Sequence, residues 1–79
     1  MNVGLDNMVA KGEIVSIARP DSVPIKRLID AYERDNRVVN LTRGRRTRAV
    51  IITRSGYVVL APLRTQTLAE RYITSDAGR

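Results

Sequence analysis

Apolar residues recur along this chain with two different spacings, and each spacing predicts a different kind of secondary structure. One set has the i, i+3, i+4, i+7 spacing of a single helix face: Ile25, Leu28, Ile29 and Tyr32. It predicts an amphipathic helix over about residues 22–36. Asp21 or Ser22 can cap the first turn, and Pro24 fits there because that turn needs no N–H from it.

Shorter runs rich in β-branched residues predict the strands of a small sheet. These runs lie at residues 2–5, 13–18, 38–42, 47–53 and 57–61. Residues 50–52 and 58–60 are continuously apolar, which predicts central strands covered on both faces. Arg54-Ser55-Gly56 between them is a hairpin signal. A bend at Lys11-Gly12 leaves residues 8–18 open to two interpretations, a hairpin or one bulged strand.

A second helix is predicted near the end of the chain. Thr67-Leu68-Ala69-Glu70 has the form of a capping box, and the predicted helix covers about residues 65–74. A helix of this length must dock on the sheet, since it is not stable alone. Together the elements predict one α+β domain over residues 1–79, with a small antiparallel sheet and a frayed tail at residues 74–79.

The charge of the chain bears on its function. Fourteen Lys and Arg residues oppose eight Asp and Glu, which gives a net charge of +6. Only two of the fourteen cations are lysine. Arginine binds phosphate and guanine edges with two parallel hydrogen bonds, whereas lysine acts as a point charge. An arginine-dominated basic domain therefore favours a nucleic-acid partner.

The composition of the chain argues against several classes of function. The chain has no His and no Cys, which argues against a zinc site and against a disulfide. It also lacks a glycine-rich phosphate loop and paired carboxylates, so we expect no enzyme, no cofactor and no small-molecule substrate. No signal peptide begins the chain and no apolar run approaches the ~20 residues of a membrane span. We therefore expect a cytoplasmic protein without a membrane partner.

The most distinctive stretch is Arg43-Gly44-Arg45-Arg46-Thr47-Arg48, with four arginines in six residues. Apolar runs on both sides place it on or beside a turn between two strands. A rigid scaffold that holds an arginine-rich loop can present cations to a phosphate backbone. A simpler interpretation is that these are solvated turn residues that keep a small protein soluble. Arg54 and Arg64 are predicted to be solvated or to join a salt bridge between subunits.

Several strings of the sequence resemble one bacterial family. They are Asn7-Met8-Val9, Ile17, Pro20-Asp21-Ser22-Val23-Pro24-Ile25-Lys26-Arg27, Gly44-Arg45-Arg46-Thr47-Arg48-Ala49-Val50-Ile51-Ile52, Leu68-Ala69 and Arg71. In order and spacing, residues 7–73 resemble RemA, the extracellular matrix regulatory protein family. The resemblance implies a LytTR-like fold and a cytoplasmic DNA-binding regulator that activates biofilm matrix genes. It further implies a homo-oligomer in the form of a closed ring, with double-stranded DNA wrapped around it.

The resemblance also assigns roles to residues. The two arginines of the family's "GRR" string are DNA contacts and fall on Arg45 and Arg46, and Arg43 and Arg48 add cations to the same stretch. A third family arginine falls on Glu13, where this sequence departs from the pattern. Lys11 and Arg19 flank that position, and we predict that they substitute for it. Arg71 and the Lys26-Arg27 pair also match the family; Arg71 suits an interface as well as DNA, and the pair suits phosphate contact as well as solvation.

Pro24 matches a family proline, to which we assign a structural role, since it fixes the first turn of the helix.

The sequence leaves two classes of function open. The first is the ring-shaped DNA-binding regulator. The second is an oligomeric interaction module whose basic loop binds an acidic protein partner.

Overall fold

Six strands and two helices follow one another along residues 1–74, the part of the chain that the computed structural model describes. In chain order they are β1 (Asn2–Gly4), β2 (Asn7–Met8), β3 (Ile14–Ala18), α1 (Val23–Arg34), β4 (Val38–Asn40), β5 (Ala49–Thr53), β6 (Val58–Ala61) and α2 (Thr65–Thr74). A single turn of 3-10 helix at Lys11–Glu13 precedes β3. The predicted α+β class is confirmed.

Both predicted helices are present. The side chain of Ser22 caps α1 by accepting a hydrogen bond from the N–H of Ile25 at 3.4 Å, and Pro24 lies in the first turn. The capping box predicted at Thr67 is wrong, because α2 begins two residues earlier, at Thr65. The N–H of Leu68 already bonds to the carbonyl of Arg64 at 3.1 Å, so Thr67 lies inside the helix.

Four of the strands form one sheet in the order β3-β5-β6-β4. β5 runs antiparallel to both β3 and β6, as expected, but β4 runs parallel to β6. The sheet is therefore mixed, and the prediction of a purely antiparallel sheet is wrong at this edge. The continuously apolar β5 and β6 are joined by a tight turn and take the centre. The short, half-exposed β4 is left at the edge, where an unpaired side costs least.

The core lies on both faces of the central strands. Side chains alternate along a strand, so Ile51 and Val50 point to opposite faces, and both are fully buried. The Ile51 face packs against Val3 of β1 and Leu68 of α2. α1 lies along the opposite side, next to β4. None of the α1 residues is fully buried, so its predicted apolar stripe is only half covered.

The first part of the chain matches neither interpretation of residues 8–18. β1 and β2 form a separate small hairpin, and β3 carries an irregularity in pairing between Ile14 and Ser16. Arg71 ties α2 to this hairpin, donating hydrogen bonds to the carbonyl and side-chain oxygens of Asn2 at 3.1 and 3.3 Å. Arg71 thus has a structural contact within the protomer.

The predicted frayed tail at residues 74–79 lies outside the described residues apart from Thr74, which ends α2. Neither helix of residues 1–74 is long and apolar enough to cross a membrane.

We predict that Gly4→Ala lowers the free energy of unfolding by roughly 1–3 kcal/mol, the usual cost of overpacking. Gly4 has a φ of 116°, and a Cβ there would lie 2.9 Å from Cγ of Pro62. Gly12→Ala is the matched control, since a Cβ at Gly12 meets no atom within 4 Å. Chemical denaturation of both variants measures the difference, and equal unfolding midpoints would contradict the role assigned to Gly4.

Candidate functional site

Residues 41–48 form the connection that carries the arginine cluster, and we call it the arginine loop. It starts from β4 at the edge, passes the end of β6 and enters β5. Both of its ends are fixed to β6. The N–H of Leu41 bonds to the carbonyl of Leu60 at 3.0 Å, and the N–H of Arg48 bonds to the carbonyl of Ala61 at 2.9 Å. The loop is therefore a crossover held at two points.

A tight turn at the start of the loop aims its side chains outward. The N–H of Arg45 bonds to the carbonyl of Thr42 at 3.0 Å, and the two central residues, Arg43 and Gly44, have φ values of 53° and 82°. Glycine adopts this left-handed region freely, whereas an arginine there costs of order 1–3 kcal/mol. Arg43, Arg45, Arg46 and Arg48 are all exposed.

The turn rests on a hydrogen-bonded polar pair that sequence reasoning missed. Thr42 is only 3% exposed, and its hydroxyl donates to Oδ1 of Asn40 at 2.6 Å. The N–H of Thr42 donates to the same oxygen at 2.9 Å. An Asn side chain that bonds the backbone two residues later is a common way to start a turn. The Asn-Leu-Thr string directly before the arginines was the available signal.

Two more arginines lie at this end of the sheet. Arg19 follows β3 and Arg64 precedes α2, and both meet Arg46 and Arg48 around an open cleft of about 370 Å³. The other residues that line the cleft are Pro20, Asp21, Thr47, Thr65 and Gln66. The structure brings Arg19 next to the arginine loop. It also places there Arg64, for which the sequence predicted solvation or a salt bridge between subunits.

Lys11 and Glu13 lie at the opposite end of the sheet. Glu13 accepts a hydrogen bond from the N–H of Ser55 at 3.1 Å, in the turn between β5 and β6. The Nζ of Lys11 lies 4.5 Å from the ring centre of Tyr72, within reach of a cation–π contact. The five residues of β3 separate Glu13 from Arg19, which makes six steps along the chain or roughly 20 Å at 3.3 Å per residue. The protomer does not bring Lys11 together with the arginine loop.

The chemistry available at this end is cationic and hydrogen-bonding. Its side chains are guanidinium groups with hydroxyl and amide neighbours, and the four cleft arginines come from three separate segments of the chain. Among the described residues no three acidic side chains come together as a possible metal site. Such an arrangement can bind an anion by charge and by forked hydrogen bonds.

The fold and this end of the sheet define a small basic α+β protein with an arginine-rich surface. Comparison with known families then places it. The model of the RemA-like family, described as extracellular matrix regulatory protein A-like, matches residues 1–72. The chain belongs to this family, and the resemblance found in its sequence is confirmed.

Individual relatives agree with this assignment. A protein of Synechococcus sp. (strain JA-3-3Ab) is 49% identical over 79 residues, which cover 99% of this chain and 88% of the relative. A protein of Oceanobacillus iheyensis is 46% identical over 76 residues, 96% of this chain and 88% of the relative. A protein of Trichormus variabilis is 43% identical over 75 residues, which cover 95% of this chain and 85% of the relative. All three are named as candidate regulatory proteins, which supports a regulatory role for the family.

We predict that Asn40→Ala lowers the free energy of unfolding by about 1–3 kcal/mol, the cost of leaving a buried donor without a partner. The substitution removes the oxygen that accepts from both the N–H and the hydroxyl of Thr42. Asn40→Asp is the control, because a carboxylate keeps an acceptor in the same place. Denaturant titrations compare the two, and an alanine variant as stable as the aspartate variant would show that the turn does not depend on this pair.

Proposed function

We propose that this protein is a DNA-binding transcriptional regulator that activates biofilm and extracellular matrix genes in the cytoplasm. It acts as a ring-shaped homo-oligomer that binds or wraps double-stranded DNA through repeated arginine loops, and it has no enzymatic activity. The observation that carries the proposal is the exposed arginine loop, fixed at both ends to β6 in a chain of the RemA-like family.

The loop suits the sugar–phosphate backbone. Arg45 and Arg46 follow the tight turn directly and are exposed, so their guanidinium groups can fork onto phosphate oxygens without moving the scaffold. Because the turn is fixed, little backbone conformational entropy is lost on binding. Each phosphate neutralised releases counterions, which makes the logarithm of the affinity fall with the logarithm of salt by about 0.9 per contact.

A single protomer offers too few contacts for tight binding, which is why the proposal includes an oligomer. A ring repeats one arginine loop at a fixed spacing, and each further contact then becomes intramolecular. Contacts of this kind lie on the backbone rather than on base edges. Sequence preference would then come mostly from how easily the DNA bends.

One side of the protomer is suited to contact another copy. β3 is an edge strand, and an apolar groove runs between it and α2, lined by Ile14, Val15, Ile17, Ala69, Tyr72 and Ile73. Val15 is 61% exposed and Ile73 is 73% exposed. Exposed apolar surface beside an unpaired strand edge is typical of an interaction surface.

The directions of the strands are compatible with a ring of copies. β3 and β4 form the two edges of the sheet, and both run antiparallel to β5. The two exposed edges are therefore different surfaces, and their strands run in the same direction. A contact between the β3 side of one copy and the β4 side of the next is head-to-tail, and such contacts generate a ring when the rotation between copies closes. Every arginine loop would then lie on the same rim.

We predict that Arg45→Ala/Arg46→Ala weakens DNA binding by about 100-fold or more, because each hydrogen bond to a charged group contributes about 1.5–3 kcal/mol. Fold and oligomeric mass should stay unchanged, since both side chains are exposed. Fluorescence anisotropy on a duplex long enough to surround a ring, titrated across salt, measures the affinity and its salt slope.

The control for this experiment is Arg34→Ala/Arg54→Ala, which removes the same charge from the opposite end of the molecule. If both double variants lose the same affinity, the positive charge acts generically. Weak DNA binding by the wild type and by both double variants would instead favour an acidic protein as the partner of the basic loop. If the Arg45/Arg46 variant unfolds or becomes a monomer, those arginines are structural.

We predict that Ile73→Gln shifts the protein from oligomer to monomer without unfolding it. Glutamine keeps the net charge and the helix propensity but places a polar group in the apolar groove. Met8→Gln is the matched control, since Met8 is 68% exposed outside the groove. Sedimentation analysis of both variants tests the surface, and an Ile73 variant of wild-type mass would exclude the groove as the subunit contact.

A further inference from the structure

We propose that the cleft at the arginine end of the sheet is a discrete binding site for one phosphate group. The site is formed by Arg19, Arg46, Arg48 and Arg64 together with the first residues of α2. This site extends the proposed function. It rests on that function where the phosphate is part of DNA. It defines one phosphate position that includes Arg46, and it assigns a binding role to Arg64.

Convergence from separate elements is the first observation. Arg19 comes from the end of β3, Arg46 and Arg48 from the arginine loop, and Arg64 from the segment between β6 and α2. Like charges repel, so a fold gains nothing by collecting four of them around one cleft. An anion placed among them removes that repulsion and satisfies several forked donors at once.

The second observation is the position of α2. The N–H of Leu68 is the first to bond back along the helix, to the carbonyl of Arg64. The N–H groups of Thr65 and Gln66 precede it, so they have no carbonyl of their own helix to bond. Both residues line the cleft. The positive end of the helix dipole therefore adds to the four guanidinium groups at the same place.

Among residues 1–74, Asp21 is the one acidic residue that lines the cleft, and it opposes an anion. Its Oδ2 lies 3.8 Å from a guanidinium nitrogen of Arg19, and the two side chains are 70% and 77% exposed. An ion pair so exposed is weak, and a phosphate can replace the carboxylate as the partner of Arg19. We therefore expect Asp21 to lower the affinity of the site without closing it.

The phosphate could belong to the backbone of DNA or to a small phosphorylated compound, since both present the same group. Position favours DNA as the source. Arg46 lines the cleft and directly follows Arg45 in the exposed loop, so a strand bound to Arg45 runs past the cleft mouth. A volume of about 370 Å³ accepts a phosphate together with its attached sugar.

The first test compares DNA affinity in charge-matched pairs of variants. We expect Arg64→Gln to weaken binding at least about ten-fold relative to Arg34→Gln, the loss expected for one hydrogen bond to a charged group. Asp21→Asn should strengthen binding relative to Glu33→Gln, although both remove one negative charge. Denaturation of each variant checks that the fold is unchanged.

The second test uses inorganic pyrophosphate as a probe and does not depend on DNA. It should raise the unfolding temperature of the wild type above that in sodium chloride of equal ionic strength. The increase should be lost in Arg64→Gln and kept in Arg34→Gln. If the wild type fails to bind DNA while this result holds, the proposed function fails and the phosphate site stands, with a small phosphorylated compound as its ligand.

The site is supported if either the DNA test or the pyrophosphate test separates Arg64 from Arg34. A DNA effect assigns the phosphate to the nucleic-acid backbone, and a pyrophosphate effect alone assigns it to a small compound. The proposal is overturned if Arg64→Gln matches Arg34→Gln in both tests.

Discussion

The pairing of β5 with β6 is the interaction on which the rest of the molecule depends. These two strands are joined by a short turn and buried on both faces, with Val50, Ile51 and Val58 fully enclosed. Burial of such side chains is the main favourable term in folding a chain of this size. The other strands of the sheet add to this pair at its two edges, and the arginine loop is held by β6 carbonyl groups.

This central pair also explains why the cations collect at one end. Arg48 precedes β5, and Arg64 follows β6 by three residues. In an antiparallel pair these two chain ends lie side by side. β3 ends at the same place because its Ala18 pairs with Val50, which brings Arg19 to the group. The basic surface is therefore a consequence of strand register.

Local signals in the sequence were enough for the helices and for the exposure of the arginines. The spacing of Ile25, Leu28, Ile29 and Tyr32 and the cap at Ser22 are properties of neighbouring residues. The parallel edge strand β4 was not predictable in this way, because its pairing depends on where β6 lies. Arg64 gave no pattern of its own, since its neighbours in the cleft are distant in sequence. The bounds of α2 were predicted, at about residues 65–74, but its cap was wrongly assigned to Thr67, because Thr65 and Thr67 have the same intrinsic preference for a helix end.

The pairing of β3 with β5 has a consequence for the time course of folding. It joins Ile14 to Thr53, residues far apart along the chain, whereas β5 and β6 are neighbours. Closing a long loop costs more entropy than closing a short turn, so we expect the hairpin to form early and β3 to dock late. A folding intermediate would then already contain the arginine loop, but Arg19 would not yet line the cleft. Recognition of a single phosphate would appear only with the last strand, later than general attraction to polyanions.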